Sequence, residues 1–357
     1  VYMTESFNDY WSMRNGDISG LFKKYFLDGN QQTSPLLWWL ASLSYFILGL
    51  NPVNAYIVIA IIYLMWIAGV IYLAWGIYPD YKYTLTCGLI AALLPSAASH
   101  GLRHFMLDFV AAAPFIWATA FLLKSDLGFK RREVIIYAVL CGITILFRTT
   151  LVPYFISHLI IVFFLAVSQK KHPHYGNMLL AILVGTLTCG SFIFPNIERI
   201  FSYYVYWSNQ TPAIGTPHSF FNNLGFYFNL VDEFHLKKFA FTALLIIFFL
   251  AAIRLIYMLR RNILKAKQLK TVFNGLLILL PLALVSTTVL SFYSSHAATV
   301  DYPFIAVYLM VPTLFWRIIS DKPQIFWVGA GVIILTLGAT QARYLSKPKS
   351  VELTAID

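Results

Sequence analysis

Charged side chains are what this sequence of 357 residues has least of: Asp, Glu, Lys and Arg make up 11% of it, against 59% hydrophobic residues. A soluble chain of this size carries about a quarter of its residues charged to keep its surface in water, so that class is excluded. Cysteine is nearly absent. Cys87, Cys141 and Cys189 all lie inside apolar runs and read as small packing residues, with neither a disulfide framework nor metal-ligand spacing. Strict apolar–polar alternation is missing, which removes a transmembrane β-barrel. A P-loop, a Gly-rich nucleotide cradle, a nucleophile elbow and an HExxH motif are missing too, so a soluble nucleotide or nucleotide-sugar site is not expected. The chain opens on Val1 without a signal-peptide pattern, and a segment ahead of residue 1 is expected.

What is present in excess is apolar sequence, with a mean hydropathy of +0.71. The fold class expected is all-α: a polytopic membrane protein with about ten transmembrane helices. The runs are Ala55–Ile77, Thr84–Ala98, Phe105–Leu123, Val134–Phe147, Leu151–Val167, Met178–Phe194, Phe239–Leu259, Phe273–Leu290, Pro303–Ile319 and Ile325–Ala342. Arg148-Thr149-Thr150 divides what would otherwise be one run from Val134 to Val167, because an arginine at mid-bilayer depth costs several kcal/mol. Two short helices joined by a tight turn are expected there.

Basic residues cluster in alternate connections: Lys124–Glu133, Lys170-Lys171, Arg260 to Lys270, and Arg317 with Lys322. By the positive-inside bias these are cytoplasmic. On that assignment the whole formal charge of +11 falls inside and the outer side is balanced, which argues for membrane orientation and against a nucleic-acid partner. The domain organisation expected is an extracytoplasmic acidic loop over 1–54, a transmembrane domain over 55–342 and a short tail over 343–357. Leu36–Leu50 is short for a span. With Trp38-Trp39 it suits a helix lying along the outer interface, although Lys23-Lys24 would also suit a cytoplasmic front end. The connection Pro195–Lys238 is long and aromatic and is expected at headgroup level; it contains a formal sequon, Asn209-Gln210-Thr211.

The polar residues gather on the outer side. The front end, Glu5 to Trp39, holds Glu5, Asp9, Asp17 and Asp28; later outer turns hold His100, Arg103, His104, Asp108 and Arg148, and the last outer loop His296 and Asp301. A carboxylate at a membrane surface can act as a general base for an acceptor hydroxyl or amine. It can also hold a divalent cation, the one cofactor alternative left open; no metal ligand set is identified. Arginines and histidines at helix ends below the headgroups suit a phosphate anion. Against each stands a plainer reading. The front-end carboxylates can be solvated surface, Arg148 can snorkel, Asp108 can favour a helix N-terminus, and Trp38-Trp39 can be an interfacial belt.

Three segments then carry a family resemblance, over roughly Asp9 to Val167. They are TSPLLWWLASLSYFILGLNPVNAY, LLPSAASHGLRHFMLDFVAAAPFIWATAFLL and KRREVIIYAVLCGITILFRTTLVPYF. Their order resembles the GT-C superfamily of polyprenyl-phosphate-sugar-dependent glycosyltransferases, closest to the protein mannosyltransferase-like and aminoarabinose transferase-like branch. The resemblance implies a first transmembrane helix ahead of the acidic stretch and an extracytoplasmic acidic loop with juxtamembrane helices. It also implies a catalytic base in that loop, where Asp9 matches best and Glu5 next. Asp108 falls at the family's helix-opening aspartate and Arg148 at its basic residue. Thr33-Ser34 stands where the family often has His-Pro, and Asp301-Tyr302-Pro303 where it often has Arg-Tyr.

The function expected is therefore transfer of a sugar from a polyprenyl-phosphate donor to an envelope lipid, glycan or protein acceptor on the outer face of a cell membrane, taken as the bacterial inner membrane. Asp9 or Glu5 would be the base, and Arg103, His104, Asp108, Arg148 and His296 would contact substrate. Two rivals are a lipid or oligosaccharide transporter, for which an internal repeat is missing, and a divergent non-catalytic subunit of a membrane assembly.

Overall fold

The computed structural model describes residues 2–94, 107–169, 172–209, 305–320 and 322–346, with isolated positions between 249 and 277. Among the described residues every regular element is a helix and no strand occurs. Three short helices open the chain: α1 (Tyr2–Arg14), α2 (Ile18–Phe26) and α3 (Leu36–Leu48). Then come α4 (Pro52–Ile77), α5 (Tyr81–Leu93), α6 (Leu107–Lys124), α7 (Arg131–Phe147), a 3-10 turn (Thr149–Leu151), α8 (Val152–Gln169) and α9 (His172–Asn209). Two more follow, α10 (Ile305–Ile319) and α11 (Pro323–Ser346).

Among the described residues three helices are long and apolar enough to cross a membrane: α4, the Tyr175–Tyr203 part of α9, and the Pro323–Arg343 part of α11. Shorter apolar helices lie at Leu36–Leu48, Phe109–Lys124, Val152–Val167 and Leu309–Ile319. The chain is a membrane protein with several spans. The expected runs Phe239–Leu259 and Phe273–Leu290 lie almost wholly outside the described residues.

Side-chain contacts fix which helix ends lie together. At the end of α4, Tyr72 stacks on Trp117 of α6 at 5.2 Å, and Lys124 sits 5.8 Å over the Tyr72 ring, so α4 and α6 run in the same direction. Between α4 and α5, Asp80 caps α5 through the Lys82 and Tyr83 amides and takes two bonds from Arg317 of α10, at 3.0 and 2.7 Å. Near the start of α9, Asn177 donates to the carbonyls of Gly128 and Phe129 in the basic α6–α7 loop, at 2.9 and 2.8 Å. The helices α4 to α9 therefore alternate up and down, and the loop with Lys124, Lys130, Arg131 and Arg132 lies at the end opposite α1–α3.

The break at Arg148 forms as expected. Arg148 leaves α7 in an extended conformation (φ −152°, ψ 108°), and its amide still donates to Thr144 at 2.8 Å. At Pro195 the structure differs from the expectation. The span read as Met178–Phe194, followed by a loop from Pro195, is one helix that runs through the proline to Asn209. Pro195 removes one helical hydrogen bond, but the residues just beyond it are anchored: Asn196 is buried and bonded to the front end, and Ile200 is buried.

Candidate functional site

The front end is a small helical layer held together from inside. Glu5 and Asp9 are four residues apart on α1 and so share one face. That face meets α2, whose N-cap is Asp17, accepting from the Gly20 amide at 3.0 Å. On the α3 side, Ser42 donates to the Ser6 carbonyl at 2.9 Å, Ser6 meets the Tyr45 hydroxyl at 3.2 Å, and Phe7 stacks on Tyr45 at 4.9 Å. Trp38 is buried, and Trp38 and Trp39 flank the Tyr25 ring at 6.2 and 5.9 Å. The tryptophan pair thus packs against the site's tyrosine, and for Trp38 the interfacial-belt reading gives way to a core position.

The four carboxylates separate by environment. Asp17 is a cap and Asp28 is exposed. Glu5 is partly exposed and accepts from Lys24 Nζ at 3.0 Å. Asp9 is 0% exposed. The Tyr25 hydroxyl reaches its two carboxylate oxygens at 2.8 and 3.1 Å, and Lys24 Nζ donates to Oδ1 at 3.2 Å. The burial is shallow, because the Lys24 and Glu5 side chains above it keep 35% and 38% of their exposure.

Burial pushes the Asp9 carboxyl above its ordinary value of 3.8, an effect that the Tyr25 bond and the Lys24 charge offset only in part. Burial opposes the charge on Lys24 too, but the bond to Glu5 and the field of both carboxylates win and raise its value. A lone Asp9–Lys24 pair would lower the acid as it raised the base. Here the burial of Asp9 outweighs the Lys24 charge and bond, and the Glu5 charge adds a further, smaller push upward. Burial and the Asp9 charge push the Tyr25 phenol well up, so it stays a donor.

The layer is docked on α9. Asn196 is 0% exposed; its amide nitrogen donates to the Tyr25 carbonyl at 2.8 Å and its oxygen accepts from the Gln31 amide at 2.8 Å. With its amide turned oxygen-first, Gln32 accepts from Arg199 at 3.0 and 3.3 Å. Gly29, at φ +66°, brings the chain against the Pro195 carbonyl.

The other candidate residues divide. Arg148 and the backbone of Asp108, the second residue of α6, lie at the bundle end that carries the front end. Beside Arg148, a cavity of about 320 Å³ opens between α7, α8 and α9, lined by Ile145, Thr149, Val152, Cys189, Ile193 and Phe194 among others. Arg103, His104 and His296, with His100 and Asp301, lie outside the described residues. Among the described residues no group of three or more His, Cys, Asp or Glu side chains is placed to hold a metal. Lys24 entered the sequence reading only as a signal of orientation, and Tyr25 and Asn196 were not singled out from the sequence. The i, i+4 spacing of Glu5 and Asp9 is the signal that puts both on one face of α1; nothing local points to the partners of that face.

Comparison with known proteins brings no match, whether to a protein-family model, a curated protein or a solved structure.

Proposed function

We propose that this chain is a multi-pass membrane glycosyltransferase of the GT-C type, with about ten spans and with its front end on the extracytoplasmic face. It would move a sugar from a polyprenyl-phosphate donor to an envelope lipid, glycan or protein. The reading is supported above all by Asp9, a carboxyl raised by burial at the bundle end that also carries Arg148. A base with a raised pKa holds a proton better at the moment of transfer.

In this reading Asp9 takes the proton of the acceptor hydroxyl or amine, the acceptor atom bonds to the anomeric carbon, and the bond from that carbon to the phosphate oxygen breaks. The leaving group is the polyprenyl phosphate, whose charge Arg148 stabilises together with Arg103 and His104. Glu5 holds Lys24 and stands in reserve as base. Asp108 and His296 orient substrate, and the crevice beside Arg148 suits a lipid chain.

The test is a transfer assay with protein reconstituted in membranes and a polyprenyl-phosphate-linked sugar. Asp9→Asn should lower turnover by roughly 10²-fold or more, and Arg148→Ala should weaken it with insertion intact. Normal turnover in both variants would sink the assignment. One observation favours a second reading, a non-catalytic subunit: Asp9 is wholly shielded with both oxygens engaged. Binding of a polyprenyl phosphate by wild-type protein without any transfer would decide for it.

A further inference from the structure

The corner between α3 and α4 combines two properties that rarely occur together in water. Its side chains are large, apolar and exposed: Leu43, Phe46, Ile47, Leu50 and Val53, with Ile47 at 72% and Val53 at 64%. Part of its backbone, by contrast, is satisfied from within. The Asn54 side-chain nitrogen donates to the carbonyls of Leu48 and Gly49 at 3.1 and 2.7 Å, and the Gly49 amide reaches the Tyr45 carbonyl at 3.0 Å. The Val53 amide donates to the Asn51 side chain at 2.9 Å, and the Asn54 amide to the Asn51 carbonyl at 2.9 Å. Side-chain caps of this kind also form in water; at a lipid boundary they supply partners that water would otherwise provide.

The patch also continues a surface that must meet lipid. From Val53 the exposed apolar face of α4 runs on through Ile57, Ile61 and Leu64 without a charged residue. At 1.5 Å per residue the 26 residues of α4 cover about 39 Å, more than the roughly 30 Å of a bilayer core. Trp75 and Tyr81 are exposed at its other end, as an interfacial belt would be. The surplus length therefore brings the corner to the opposite boundary.

We propose that the α3–α4 corner is a membrane anchor, sunk into the boundary between headgroups and acyl chains, with lipid as its partner. Because α1 is bound to α3 through Ser6, Ser42 and Tyr45, the anchor also fixes how far the Asp9 face stands above the bilayer. The inference requires only that the chain spans a membrane and does not depend on a transfer reaction.

The experiment uses spin labels on single cysteines in the full chain, reconstituted in phosphatidylethanolamine–phosphatidylglycerol vesicles, with the buried native cysteines changed to alanine. Labels at Ile47, at Leu64 as a lipid reference and at Asn8 as a water reference report collision with oxygen and with a soluble nickel chelate. The expected result is an oxygen-to-nickel ratio at Ile47 close to that at Leu64 and on the order of tenfold above that at Asn8. A label at Val53, also exposed, repeats the measurement should the Ile47 variant fold poorly. A ratio matching Asn8 would place the corner in water, and shielding from both reagents would mean that protein covers it; either overturns the proposal.

Discussion

Asn196→Ala separates the front end from the bundle at a single point, and its cost can be worked from the contacts. The asparagine makes two bonds between elements, to the Tyr25 carbonyl and from the Gln31 amide, and a third to Phe192 within its own helix. Alanine deletes the side chain but leaves the Tyr25 carbonyl and the Gln31 amide facing a site that is 0% exposed. Each bond contributes about 1 kcal/mol, and each orphaned buried partner costs about 1–3 kcal/mol. Since water can enter the space vacated, the lower half of the sum applies, roughly 2–3 kcal/mol. The loss falls on the docking of α2 and the 27–34 loop, while α4 to α7 make none of these contacts. Amide hydrogen exchange in nanodiscs should therefore speed up by about 30- to 150-fold over residues 18–34 and stay unchanged over α4–α7. Asn196→Asp keeps the acceptor for Gln31 but turns a carboxylate oxygen against the Tyr25 and Phe192 carbonyls at a buried site, and should speed exchange over 18–34 at least as much as alanine does. Unchanged exchange over 18–34, or an equal rise throughout the bundle, would refute the claim that Asn196 is a local tie.

Three further outcomes follow from the same geometry. Gly29→Ala should weaken the same docking by about 1–2 kcal/mol, since φ is +66° and the new Cβ would lie 2.9 Å from the Pro195 carbonyl; exchange over 18–34 reports it. At the other end, Arg317→Met should cost about 1–2 kcal/mol by removing a two-point bond to Asp80. Burial opposes the Asp80 charge, but the Arg317 bond and the Lys82 and Tyr83 amides hold its carboxyl below 3.8. That contribution is complete above 3.8 and lost as pH falls through the folded value, so thermal melts of wild type and Arg317→Met should converge in acid. Asp9 has the opposite sign. Its folded value lies above 3.8, so the folded state binds the extra proton, and front-end protection should rise as pH falls through that value. Asp9→Asn should flatten that dependence.

The helical class and the break at Arg148 were legible because both rest on local cost. An apolar run needs a bilayer, and an arginine cannot sit in the middle of one. The continuation of α9 was not legible, since Pro195 followed by polar residues reads as a helix end. What overrides it is a tertiary contact made by Asn196 with Tyr25, 171 residues away in the chain. The same holds for the site. Asp9 could be named, but Tyr25, 16 residues on, could not, because only the packing of α2 on α1 brings its hydroxyl to the carboxylate. The fate of the tryptophan pair also depends on packing: an interfacial belt and a wall behind a buried tyrosine have the same sequence.

The two ends of α9 show how one helix sets both faces of the molecule. Asn177 and Asn196 are both buried, and each spends its amide on main-chain groups of another segment: the basic loop at one end, the acidic front at the other. Nineteen residues separate them, about 28 Å along a helix, close to the thickness of a bilayer core. A polar side chain at either boundary can thus be buried in protein and still be fully bonded, where a shift of one turn would put it in hydrocarbon. The spacing of the two asparagines then acts as a ruler. It holds the positively charged loop and the Asp9 layer one membrane thickness apart, and inserting a single residue between them should rotate one asparagine by about 100° out of its contacts while leaving the other in place.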